Sequence, residues 1–458
     1  MRFAILLPLL LTACAVGPSY KKPDFKAMPD QWLENVSVPD VSALNLPWWR
    51  ALHDPVLNKL VDTALANNGD LKVAMARVEE ARAERLAAQA ALLPNVNGKV
   101  NAVRGNTGTN TIDRTANLFD SEFDASWELD IFGGGRRAAE AARATLQSRR
   151  ASVHQVQVSL LAEVVRNYVD YRRLEQQIKL TQENLAAQQS TLVAVREQVK
   201  EGVASLLDLS RVESQAGTTE ADIPDLTSQL VSSRNNLAVL AGMTPEQVLP
   251  YLASEPLPTV TPKLVLSTPA SVIASRPDVQ VAERDLAAAT ANQGVALSNW
   301  FPKVNLAGLF GLQHLAGIPS FQAWNVGGTI QLPIIDFGRV RAMVRQADAR
   351  QQEALATYEQ TIRAALADVE SSLTAYAKAR DREVILEKAA KASRQAEELA
   401  RIQYKEGIAS LLDVLDAQRQ RLETETTLVA AKANVGKTYA ALYKALGGGA
   451  NFHTDSAK

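Results

Sequence analysis

The sequence predicts an α+β chain in which one plan is written twice: a short helix, two strands, a long helix, a tip and a returning helix. Three observations carry that prediction. A decapeptide recurs, as KEGVASLLDL at 200–209 and KEGIASLLDV at 405–414; two helical patterns run without proline from about 136 to 200 and from 339 to 405; and four segments of strand length alternate apolar with polar residues. The copies align at 69–83 with 277–291 and at 93–97 with 301–305, offset by 208, and at 131–137 with 336–341 and the two decapeptides, offset by 205. So long a period marks a duplicated half, since solenoid repeats span about 20–50 residues.

Taken in order, residues 1–13 read as a signal peptide. Arg2 supplies the positive start, and the apolar run Phe3 to Leu11 is too short for a permanent transmembrane helix. The run ends in Leu11-Thr12-Ala13-Cys14, the pattern of a bacterial lipobox, which makes Cys14 the expected lipid anchor and mature N-terminus. Cys14 is the only cysteine in 458 residues, so there is no disulfide framework and no thiolate metal site. Ala15 is not the aspartate associated with inner-membrane retention, which favours the outer membrane. A lipidated, extended segment is expected over 14–52. With 49 basic and 50 acidic residues, net charge −1, nothing suggests a nucleic-acid partner. The mature chain lacks an apolar stretch of ~18 residues, so whatever crosses a membrane must be a strand.

The first repeat is placed at 53–242 and the second at 270–447. Between them a connector, 243–269, carries six prolines, and the polar tail 448–458 is expected to be disordered. Strand pairs are expected at 95–104 with 118–131 and at 302–313 with 322–335. In 119–130, Phe119, Phe123, Ala125, Trp127 and Leu129 share one face, while Asp120, Glu122, Asp124, Glu128 and Asp130 share the other. Such alternation also suits a half-buried strand of a soluble sheet, and does not by itself say which face meets lipid. The lipobox and the lack of a soluble partner sheet turn the reading toward a membrane barrel. Four strands cannot close one, and open edges are not tolerated in hydrocarbon, so several copies must contribute.

The long helices carry coiled-coil seams. Val164, Tyr171, Ile178, Leu185, Leu192 and Val199 recur every seven residues, and Ile362, Leu366, Val369, Leu373 and Tyr376 step by four and three. In each decapeptide the glycine, Gly202 or Gly407, suits the left-handed position that ends a helix. Ser205 and Ser410 are then placed to cap the next helix, with Asp208 and Asp413 in the capping-box position. Gly217 and Pro224 are expected to interrupt the first returning helix, and 410–446 has no proline.

The lipobox, GPSYKKP at 17–23, the twin strand pairs, the long hairpins and the two G-x-x-S-L-L-D tips together resemble the TolC-like outer-membrane efflux proteins, in their lipoprotein branch. That resemblance implies a homotrimer with a twelve-stranded barrel in outer-membrane lipid, continued by a helical barrel in the periplasm. It implies a passive gated conduit, not an enzyme, that meets a periplasmic adaptor protein and an inner-membrane transporter of the RND type. It also implies gate roles for Leu412, Asp413 and Asp416, with Tyr404 and Asp208 holding the closed state. The chain departs from the family pattern at Ala409, where an arginine is usual. Capping accounts for Asp208 and Asp413 without a gate, but not for Asp416, whose repeat equivalent is Arg211. Arg211 is expected to pair with an aspartate across the tips. Asp413 and Asp416, repeated around a narrow mouth, are expected to repel one another and raise their pKa values.

Two other readings compete. A channel for protein secretion would share every feature above, and an envelope-tethering coiled-coil lipoprotein would explain Cys14 and the heptads but not the strand pairs. His53, His154, His314 and His453 are scattered and no catalytic motif appears, so no cofactor, metal or enzymatic reaction is expected.

Overall fold

The computed structural model describes residues 15–25, 28–33, 47–106, 115–252, 255–258, 268–315 and 319–448. Cys14, the residues before it and the tail from 449 onward lie outside the described residues. The elements run α1 (Pro55–Asn67), α2 (Gly69–Ala90), β1 (Asn95–Asn106), β2 (Thr115–Leu129), α3 (Gly134–Lys200), α4 (Leu206–Leu240), α5 (Pro269–Ser275), α6 (Pro277–Ser298), β3 (Lys303–Leu315), β4 (Phe321–Gln331), α7 (Arg339–Lys405) and α8 (Leu411–Ala445). α3 and α7 are both 67 residues long, and α4 and α8 both 35, so the duplication is preserved in element length.

The chain divides into two compact units. One holds Met1–Phe25, Ala76–Ala151 and Gln280–Thr361, and the other Lys26–Met75, Ser152–Val279 and Ile362–Lys458. The strands belong to the first. They form one antiparallel sheet in the order β1-β2-β3-β4, so the two hairpins lie side by side and β1 and β4 are its edges. β2 ends at Leu129 because Asp130 turns to accept from the amides of Gly135 and Arg136 and caps α3. β4 ends before Pro333, which has no N–H to give a ladder.

In the same unit the stretch after Cys14 is tied down by a buried arginine. Arg137 donates to the carbonyls of Val16 (3.2 Å) and Gly17 (3.0 Å) and to the Ser19 hydroxyl (3.3 Å), and pairs with Glu140 at 2.7 Å. The Val16 amide donates to the Phe132 carbonyl, and Tyr20 donates to Glu283 at 2.8 Å. Gly17 and Gly294 allow this approach, since a Cβ on Gly17 would sit 2.6 Å from the Gly294 Cα.

The second unit has the larger apolar core: Trp48, Trp49, Leu57, Leu60, Val61, Leu161, Val164, Val165 and Tyr168 pack with Val369, Leu373, Tyr376, Tyr439 and Leu442. Asp54 caps α1 and accepts a 2.5 Å hydrogen bond from the buried Tyr168 hydroxyl, which in turn accepts from Arg172. Burial first, then the Asp54 carboxylate, push the Tyr168 phenol well above its ordinary value. The expected interruption of α4 does not occur: it is a single helix through Gly217 and Pro224. Both residues lie on its exposed side, where water can serve the carbonyl that Pro224 leaves unbonded.

Candidate functional site

Two features combine sequence pattern with unusual exposure: the sheet of the first unit and the hairpin tips of the second.

In the sheet the register sorts residues by face. Phe123 stands between Gly98 and Phe310, Ala125 between Val96 and Gly308, and Phe310 is in turn opposite Trp324. On the other face Glu122 stands opposite Lys99, Asp124 opposite Asn97 and Glu128 opposite Asn305. The apolar face is uncovered: Val96, Val100, Phe123, Phe310, Trp324, Val326 and Ile330 are all more than half exposed, and on the other face Lys99, Glu128 and Gln331 are exposed as well while Asp120 is buried. A soluble sheet shows the reverse, and a contiguous apolar surface of this kind marks a face meant for lipid or protein. The acidic face is internally linked, by Asn97 to Asp124 at 3.1 Å, Lys99 to Glu122 at 3.7 Å and Lys303 to Glu128 at 3.8 Å. Among the described residues no helix is long and apolar enough to cross a membrane.

The tips are built identically. Gly202 (φ +77°) and Gly407 (φ +74°) take the left-handed conformation. At each, paired backbone bonds close the preceding helix: Gly202 N–H to Val199 and Val203 N–H to Gln198, Gly407 N–H to Tyr404 and Ile408 N–H to Gln403. Ser205 with Asp208, and Ser410 with Asp413, form complete capping boxes on α4 and α8. Hydrogen bonds from the Ser410 side chain and backbone hold the Asp413 carboxyl below its ordinary range. Within one chain that direction is opposite to the rise expected from a ring of like charges, because here the cap is the dominant neighbour.

Beyond the caps the tips differ. Leu411, Val414 and Leu415 are buried, and Leu411 and Leu415 cluster with Val195 and Val212, while Leu412, Asp413 and Asp416 lie together on the exposed side of α8. Leu206, the repeat equivalent of Leu411, is 72% exposed. Tyr404 donates to Gln198 of the first hairpin at 3.0 Å. Arg211 lies 3.8 Å from Asp208 of its own helix, and Asp416 pairs with Arg419 at 2.7 Å, so neither forms a pair across the tips within the chain. Among the described residues no group of His, Cys, Asp and Glu side chains stands where it could hold a metal ion.

Sequence reasoning missed two sets of residues. Arg137, which fixes the stretch after Cys14, gave no signal beyond its place in GGGRR. The other set is a charged cluster joining α7 to α8, Arg394 and Glu397 with Arg421 and Glu425; Arg421 and Glu425 at i,i+4 hinted at half of it.

An exposed apolar sheet face joined in one chain to long paired helices defines a membrane-inserted channel component. The family model of outer membrane efflux proteins matches residues 60–243 and 268–448, and the chain belongs to that family. It is 31% identical to the pyoverdine export outer membrane protein OpmQ of Pseudomonas putida, over 98% of this chain and 97% of that protein. It is 32% identical to nodulation protein T of Rhizobium leguminosarum bv. viciae, over 97% and 93% respectively. Its fold matches the outer-membrane channel OprN with a TM-score of 0.88 and 34% identity, covering 95% of this chain and 100% of that one. The protein is thus an outer-membrane efflux channel component, a transport conduit and not an enzyme.

Proposed function

We propose that copies of this chain, three by the family resemblance, close one barrel in the outer membrane and form the exit duct of a pump. A periplasmic adaptor and an inner-membrane RND-type transporter supply its cargo and its energy. The observation that carries this reading is the sheet: an exposed apolar face, an acidic face, and unpaired edges at β1 and β4 that hydrocarbon would not tolerate. Two copies would give eight strands, whose interior fills with side chains, and three give twelve and a pore. Small organic compounds are the proposed cargo, in keeping with the relative named for pyoverdine export. Lipidation at Cys14 would add a second hold on the same membrane.

The second tip is the proposed periplasmic gate. Leu412, Asp413 and Asp416 share one exposed side of α8, so rotation about the barrel axis would gather three copies of each at the narrowest point. Tyr404 and the Asp208–Arg211 pair would steady the closed arrangement. The test is single-channel conductance in a planar bilayer, comparing wild type with Asp416→Ala and with Asp413→Ala/Asp416→Ala. A mostly closed wild type and a much larger mutant current are expected. Equal currents would move the gate elsewhere, and no current from correctly inserted protein would end the conduit reading.

A further inference from the structure

The first unit contains a slot that the duplication does not repeat, and the stretch after Cys14 fills it. Glycines open the slot. A Cβ on Gly133, itself left-handed at φ +81°, would lie 2.6 Å from the Ala15 Cα, and one on Gly17 would lie 2.6 Å from the Gly294 Cα. Arg137, 7% exposed at the side chain, gives its guanidinium to the Val16 and Gly17 carbonyls and the Ser19 hydroxyl. Tyr20 then packs on Ala144, Ala287 and Ala288, with the Arg284 guanidinium 5.4 Å from its ring centre and Glu283 accepting from its hydroxyl.

The other half lacks these parts. At the repeat offsets Arg137 corresponds to Ala342, Gly294 to Leu86, Glu283 to Met75, and Ala287 and Ala288 to Glu79 and Glu80. Gly338 stands where Gly133 would be, but a Cβ there would meet nothing within 4 Å, and Leu86 and Met75 are more than half exposed. The halves agree in helix length and in tip geometry. A difference gathered around one slot points to an occupant that only one half receives.

We infer that this slot is the seat of the mature N-terminus, and that Arg137 is a positioning residue for the lipid anchor, which it holds at the junction between the chain's two hairpins. The Val16 amide donates to the Phe132 carbonyl, and Phe132, just after β2, stacks on Phe301, just before β3, at 4.8 Å. Cys14 is one residue from Ala15, and successive Cα atoms lie about 3.8 Å apart, so acyl chains on it start beside the β2–β3 ladder. The last rungs of that ladder on the apolar face are Trp127 opposite Leu306 and Leu129 opposite Val304. A free segment of the length of 15–21 would let the anchor range over roughly 15 Å, and the seat removes that freedom. Hydrogen bonds from a charged guanidinium are the strong kind, which suits a seat that must hold a tethered end. The inference rests on the lipidation and barrel readings above and names the residues that join them.

The test reads the seat and the anchor separately, in full-length protein in outer-membrane vesicles. Hydrogen exchange reads the seat. The Val16 amide should be protected in wild type and exchange roughly 100-fold faster in Arg137→Ala, with the β2–β3 amides unchanged. Gly294→Leu, which places the other half's residue in the slot, should do the same. Tyr20→Phe should give a smaller rise, and it still reads the seat if the larger changes block insertion. Equal exchange in wild type and these variants would overturn the seat. A photoactivatable fatty acid carried on Cys14 reads the anchor. Cross-links from the Cys14 peptide should concentrate on Trp127, Leu129, Val304 and Leu306 in wild type and spread over the apolar face in Arg137→Ala. An even spread in wild type would overturn the positioning role although the seat stood. A Cys14 peptide without acyl groups, seen by mass, would remove the anchor from the proposal and leave exchange to decide the seat.

Discussion

The hairpins α3–α4 and α7–α8 carry the same tip, with matching left-handed glycines and capping boxes, yet their shafts are joined by different chemistry. In the second, Arg394 and Glu397 of α7 interlock with Arg421 and Glu425 of α8. Arg421 reaches Glu397 at 2.5 Å and Glu425 at 3.3 Å, Arg394 also pairs with Glu425, and both glutamates are 6% exposed at the side chain. The repeat equivalents in the first hairpin are Gln189, Leu192, Ala216 and an exposed Glu220; its own cross-link is the half-exposed pair Arg196–Glu213 at 2.8 Å. A turn of given backbone geometry admits few residues, so duplicated tips stay alike. A shaft needs only filled volume and satisfied polar groups, which many residue sets supply.

The largest difference between the halves should appear where the returning helices end. Gly242 closes α4 and Gly447 closes α8, both left-handed, at φ +64° and +74°. A Cβ on Gly242 would collide with the Asn67 carbonyl, whereas one on Gly447 would meet the Arg276 Cα at 3.3 Å. Gly242→Ala should therefore cost roughly 3 kcal/mol, left-handed strain plus a forced backbone shift. Gly447→Ala should cost only the strain, about 1 kcal/mol. Thermal unfolding of the two variants in the same detergent checks the order, and equal losses would mean that the Asn67 turn yields easily.

Next in size is the shaft. Glu425→Gln leaves Arg394 and Arg421 short of a countercharge and should cost roughly 2 kcal/mol, less than a fully buried pair because Arg394 is 58% exposed. Glu220→Gln, on the exposed side of the other hairpin, should stay within about 0.5 kcal/mol. If the two changes cost the same, the buried cluster is neutral and the shafts are equivalent in energy as well as in length.

These contrasts also explain what could be read without coordinates. The duplication, the strand faces and the tips were legible because each rests on local pattern: period two, period seven, or a glycine followed by a serine cap. The order of the sheet was not, since nothing in 118–131 or 302–313 states that the two hairpins share a ladder. Arg137 was invisible because its partners are backbone carbonyls more than a hundred positions away. Among the tip residues, Asp413 was legible as a cap because the capping box is a local pattern. Asp416 and Arg211 each have a partner on their own helix, three residues away, which a comparison between halves overlooks.

The smallest effects lie at the tips, where the comparison can be made sharpest. Ser205→Ala and Ser410→Ala each remove an N-cap and should each cost about 1 kcal/mol, equally in the two halves. The caps also set a titration. Asp413 is held below its ordinary range by Ser410, so its contribution is present above the ordinary aspartate value and is lost as pH falls through the lowered one. Ser410→Ala should move the Asp413 carboxyl back up, read by carboxyl carbon NMR on labelled protein. The same reading separates a single chain from an assembled mouth. Gathering copies of Asp413 and Asp416 raises the value through repulsion, in opposition to the cap. A higher value in the assembled form than in the dissociated chain would place the second tips within reach of one another's charge. An unchanged value would put those carboxylates beyond a Debye length, about 8 Å at physiological salt, and the constriction would then have to be apolar, at Leu412.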